Sequence, residues 1–183
     1  MRQFILSIAL ALTPVISSAQ DFSALDQTGV VGLMRHALAP GVGDPSNFDV
    51  ADCSTQRNLS EAGREQARRT GAALRAEGLS FDAVWTSAWC RAKETAALMD
   101  VGPVVEVAAL NSHFAGRGDA QDQARRVRGR LSELPLDARV LMVTHQVNIR
   151  ALAGRSTASG EIVVSRREED GGLTPIGTVQ IAP

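Results

Sequence analysis

Four apolar runs of strand length punctuate the chain: "GVVGLMRH" (29–36), "FDAVWTS" (81–87), "PVVEVAAL" (103–110) and "ARVLMVTH" (138–145). The first and last are apolar throughout, the pattern of strands buried on both faces in the middle of a parallel sheet. Between the runs the period changes. In "SEAGREQARRTGAALRAEG" Ala67, Thr70, Gly71 and Leu74 share one helical face, with Ser60 as N-cap and Gly78 as the stop. "AWCRAKETAALMD" (88–100) and the Arg-rich "AQDQARRVRGRLSEL" (120–134) read as two more helices, the second with a solvated basic face. A short helix over 147–153 and two terminal strands, "GEIVVSRRE" (160–168) and "GTVQIA" (177–182), complete the pattern, and residues 21–28 read as a polar linker. Strands that alternate with helices predict a three-layer α/β/α sandwich, its sheet mostly parallel and covered by helices on both faces.

The opening stretch breaks this pattern. Arg2, an apolar run from Phe4 to Val15 and the small residues Ser17, Ser18 and Ala19 have the layout of a secretory signal peptide. Residues 1–19 are therefore expected to be removed on export, leaving a single domain over 20–183 in the periplasm. The alternative is a membrane anchor, but Pro14 interrupts the run, which is shorter than the roughly 20 residues that span a bilayer. No later segment has the length and apolarity to span one. A net charge of −1 and an aromatic content of 4% give no polyanion-binding surface and no stacking platform for nucleic acid. Cys53 and Cys90, in an oxidising compartment, form either one disulfide or two separate thiols.

Candidate chemistry gathers where the apolar runs end. In open parallel sheets ligands sit outside the carboxyl ends of the strands. Arg35 and His36 close the first run and His145 closes the fourth, so both histidines reach one crevice. The loop after His36, "ALAPGVGDPSNFDVADCSTQRN", is long, and loops of that length in compact domains are commonly functional.

Four pieces, "LMRHALAPG", "RNLSEAGREQA", "TSAWCRAKETA" and "VTHQVNI", together resemble the histidine phosphatase superfamily. The resemblance covers nearly the whole chain after residue 19 and implies a phosphoglycerate mutase-like fold. It implies that His36 is the nucleophile that becomes phosphohistidine, with Arg35 and Arg91 holding the phosphoryl group and His145 as the second pocket histidine. Arg57, Gln146 and Asn148 are the further candidate substrate contacts. The implied substrate is a phosphorylated small molecule or an envelope glycolipid such as a lipopolysaccharide core sugar phosphate, with a phosphohistidine-bearing protein, or phosphate binding without turnover, as alternatives.

Elementary chemistry agrees with these roles. Planar guanidinium groups grip phosphoryl oxygens in pairs, and their charge disfavours the protonated form of a neighbouring imidazole, which keeps the nucleophile available. Arginine and histidine then supply the charge stabilisation, so neither metal nor cofactor is expected. His36, His113 and His145 are far apart in sequence and no ligand motif accompanies them. The chain also departs from the family pattern. Ala37 stands where glycine is usual, which requires an ordinary backbone conformation or extra room there. Gln146 and Ser112 stand where family members carry an acid, leaving Asp119 and Asp122 as distant candidates, read more simply as loop and cap carboxylates. If Cys53 is bridged to Cys90, the bond ties the long loop beside Arg91.

Overall fold

A computed structural model describes residues 22–183; the signal-like stretch 1–19 lies outside the described residues. The chain forms β1 (Val30–Arg35), α1 (Glu61–Ala76), β2 (Ala83–Thr86), α2 (Cys90–Met99), β3 (Val104–Glu106), α3 (Ala120–Ser132), β4 (Val140–Thr144), α4 (Gln146–Ala153), β5 (Glu161–Arg167) and β6 (Leu173–Gln180). One six-stranded sheet runs in the order β3-β2-β4-β1-β5-β6. The first four in that order are parallel, while β5 and β6 are antiparallel additions beside β1.

The two apolar faces of the central strands explain the layers. Val30 and Met34 of β1 pack with Leu74 of α1 and Met99 of α2, whereas Val31 and Leu33 pack with Val127 and Leu131 of α3 and Ile149 of α4. Successive side chains point to opposite faces of a strand, so an unbroken apolar run requires helices on both sides. Ser60 caps α1 by accepting from Gly63 N, and Asp119 caps α3 by accepting from Gln121 N and Asp122 N.

Three sequence expectations are corrected. Residues 23–26 form a 3-10 turn rather than a linker, because Phe22 and Leu25 are buried in the core. The third strand ends at Glu106, since Ala108–Leu110 turn into a 3-10 helix whose Leu110 is buried. Strand β6 begins at Leu173, earlier than the pattern indicated. Pro175 obscured it, and proline is tolerated there because β6 lies at the sheet edge, where the pairing with β5 carries a register shift.

Register fixes the crevice. Arg35 of β1 pairs with Thr144 of β4, so His36 and His145 leave neighbouring strands at the same end of the sheet. Cys53 and Cys90 are joined by a disulfide with Cα atoms 5.7 Å apart, which ties the long loop between β1 and α1 to the start of α2. Among the described residues no helix is long and apolar enough to cross a membrane.

Candidate active site

Arg35, His36, Arg57, Arg91, His145 and Gln146 line one cavity of about 150 Å³ at the carboxyl ends of β1 and β4. Asn148 is not among its lining residues. Its side chain is buried, and Nδ2 donates to Asn111 O at 2.9 Å, so it packs α4 against the loop after β3. Asp119 is the cap of α3 and, like Asp122, does not line the cavity.

The imidazole of His36 is held in one state. Its Nδ1 lies 2.8 Å from the carbonyl oxygen of Ala37, which can only accept, so Nδ1 carries the proton. Nε2 in turn accepts from Arg91 Nε at 3.2 Å. Burial and then the positive charge of Arg91 push the His36 pKa down to about 3, which leaves the ring neutral at physiological pH. Ala37 has an ordinary backbone conformation, and its N–H donates to Thr95 Oγ1 at 3.0 Å, so the methyl group in place of glycine is accommodated.

His145 stands edge-on to His36, with ring centroids 5.5 Å apart, and its Nε2 shares a hydrogen bond with Ser87 Oγ at 2.9 Å. Complete burial, followed by the nearby His36 and the arginines, holds His145 well below its usual titration range. Arg35 donates Nη1 to Thr157 O at 2.9 Å, and its buried Nε has no partner among the described residues. Arg57 is fixed by Nε donating to Gly43 O at 2.8 Å, and burial with the nearby Arg91 lowers its pKa to about 10.

Sequence reasoning missed Asp44. Its carboxylate accepts from Arg91 Nη1 at 2.6 Å and from Arg91 Nη2 at 3.3 Å. It also accepts from Trp89 Nε1 at 3.0 Å and from the backbone N–H of Arg57 at 3.1 Å. The ion pair is closed to solvent, with 3% of the Arg91 side chain and 5% of the Asp44 side chain exposed. Burial raises the Asp44 pKa, but its hydrogen bonds with Arg91 and Trp89 outweigh this and keep it below the usual carboxylate range. Asp44 is the one carboxylate among the described residues that line the cavity, and Ser112 and Gln146 line it without being acids.

The histidine phosphatase superfamily (branch 1) profile matches residues 32–117, from β1 through the loop after β3. Residues 32–117 therefore carry the sequence pattern of the histidine phosphatase superfamily. A 2,3-bisphosphoglycerate-dependent phosphoglycerate mutase of Azorhizobium caulinodans is 55% identical over 42 residues, covering 23% of this chain and 20% of the mutase. A second such mutase, of Parvibaculum lavamentivorans, is 41% identical over 75 residues, covering 37% of this chain and 36% of the mutase, so the chain matches only part of the length of these curated relatives. Among solved structures, a proposed α-ribazole-5′-P phosphatase of Escherichia coli superposes with a TM-score of 0.63 at 20% identity, covering 85% of this chain and 98% of that one. The protein histidine phosphatase SixA complexed with tungstate superposes with a TM-score of 0.60 at 19% identity, covering 82% and 96%. These superpositions show that the chain shares the fold of both structures.

Proposed function

We propose that this chain is a histidine phosphatase that hydrolyses a phosphomonoester in two steps through phosphohistidine on His36. The observation that carries the proposal is the state of that ring: neutral, with its proton held on Nδ1 by Ala37 O and its Nε2 lone pair facing the Arg91 guanidinium. In the first step the Nε2 lone pair forms a bond to phosphorus while the phosphorus–oxygen bond to the leaving group breaks, its electron pair departing with that oxygen. In the second, water oxygen bonds to phosphorus, the phosphorus–nitrogen bond breaks, and its electron pair returns to Nε2 as inorganic phosphate forms. Arg35, Arg57 and Arg91 carry the phosphoryl charge through both steps, and the scheme calls for no cofactor.

The one carboxylate of the cavity lining is saturated by N–H donors, so the leaving group receives no proton from a ready acid. Leaving groups that depart easily are favoured: aryl and acyl phosphates over simple alkyl phosphates. The same observation supports a second reading, a phosphorylated histidine on a protein, whose imidazole also leaves readily. The layout of residues 1–19 supports export to the periplasm, where a phosphorylated envelope glycolipid is the candidate substrate beside soluble small molecules. Fractionation of cells producing the full chain tests that location; recovery in the cytoplasm would remove it.

Hydrolysis of p-nitrophenyl phosphate by the protein from Gln20, beside a His36→Ala variant, tests the chemistry. Turnover in the parent, loss in the variant and an acid-labile phosphoenzyme in the parent support the scheme. A folded parent that binds phosphate without turning over would replace it with a phosphate-binding role.

A further inference from the structure

We infer that Asp44 is the positioning residue for Arg91: it holds the end of the guanidinium so that the remaining edge is reserved for the phosphoryl group. The inference rests on the reading of the cavity as a phosphohistidine site. A guanidinium carries five N–H bonds. In Arg91, both Nη1 hydrogens are engaged, by Asp44 Oδ1 at 2.6 Å and by the carbonyl of Arg57 at 3.1 Å, and one Nη2 hydrogen goes to Asp44 Oδ2 at 3.3 Å. What remains is the edge made by Nε and the second Nη2 hydrogen. Nε–H on that edge points at His36 Nε2. Two parallel N–H bonds beside the nucleophile form the fork that matches a pair of phosphoryl oxygens. A phosphoryl group that takes this edge draws Nε–H away from His36 and releases the attacking lone pair.

Asp44 is itself immobilised. Trp89 Nε1 and Arg57 N complete its shell, each carboxylate oxygen receiving two N–H donors. Gly41 and Gly43, at φ +90° and +72°, make the left-handed turns that bring the loop round to it, a conformation for which glycine is suited. Loop and helix are then tied at adjacent helix positions, by the disulfide at Cys90 and by the ion pair at Arg91. A carboxylate with this shell is a fixed acceptor, not a proton donor.

A double-mutant cycle with p-nitrophenyl phosphate tests the assignment. Asp44→Ala and the near-isosteric Asp44→Asn are expected to lower kcat by about a hundredfold, since a misplacement near 1 Å has that effect, with KM changing by less than about threefold. In an Arg91→Ala background the same substitutions are expected to change kcat by less than about twofold. Equal losses in both backgrounds would overturn the assignment. So would a loss confined to alkyl phosphates and absent with p-nitrophenyl phosphate, which would make Asp44 a proton donor. Nitrogen-15 NMR supplies a readout that does not require turnover: the Arg91 Nε–H signal should be protected from exchange in the ligand-free parent and lose that protection in Asp44→Asn. A parent without turnover removes the phosphatase reading, and an Nε–H equally protected in parent and variant removes the role of Asp44.

Discussion

Arg91 Nε donates to His36 Nε2 across 3.2 Å, so the guanidinium that would carry the phosphoryl group is already bonded to the lone pair that would attack it. On the proposed reading, anion binding and nucleophile release are thereby one exchange of partners. The requirement is for a planar, forked donor at position 91, not merely for a positive charge.

Arg91→Lys tests that requirement directly. Lysine keeps the charge but loses the fork and the anchor to Asp44, and kcat/KM for an aryl phosphate is expected to fall by about 10²–10³-fold, the effect of removing a preorganised donor. Steady-state kinetics of the purified variant measure it; retention of most activity would show that charge alone suffices.

The lowered His36 pKa has a defined pH signature. With the folded value near 3, the ring stays neutral through mildly acidic pH, so kcat/KM should show no acid limb from an imidazole near pH 6.5. The stability effect follows in sign. The unfolded chain takes up a proton below the ordinary histidine value of about 6.5 while the folded chain does not, so folding stability is intact above that pH. It declines as pH falls from about 6.5 towards 3. Thermal unfolding from pH 7.5 to 4 should show a falling midpoint, and His36→Gln should flatten the curve; His145 and His113, shifted in the same direction, add to the decline.

The disulfide closes a loop with a sequence separation of 37 residues. Replacing both cysteines with serine should lower unfolding free energy by about 3–4 kcal/mol, measured by chemical denaturation. Because the released loop carries Asp44 and Arg57, kcat should fall at temperatures where the variant is still fully folded. An unchanged kcat would show that the ion pair alone fixes the loop.

Gly63→Ala probes the seam between α1 and the residues after the nucleophile. A Cβ there would lie 2.0 Å from Leu38 O, so the backbone two residues beyond His36 has to move. A loss of about 1–3 kcal/mol in stability is expected, as for overpacking elsewhere, together with reduced kcat/KM.

The layered fold and the two histidines of the cavity were legible in the sequence because they depend on local pattern. An unbroken apolar run such as Val140–Thr144 has few alternatives to a buried strand, and His36, Arg35 and His145 sit where two such runs stop. Arg57, Arg91 and Gln146 were found through motif resemblance and line the same cavity. Asp44 was not legible: a lone aspartate between Gly43 and Pro45 has the signature of a turn, and its partner is 47 residues away, brought to it only by tertiary folding. Asn148 misled for the converse reason. Its place near His145 is close in sequence, but one helical turn directs its side chain to Asn111.

Strand β4 lies between β1 and β2 although it is the fourth to be made. The two histidines therefore cannot meet until a strand from late in the chain has inserted itself into the centre of the sheet. A partly synthesised polypeptide carries His36 and its arginines yet has no finished cavity. On the proposed reading, the capacity to act on phosphate waits for that fourth strand, and a fragment that stops before Val140 lacks it.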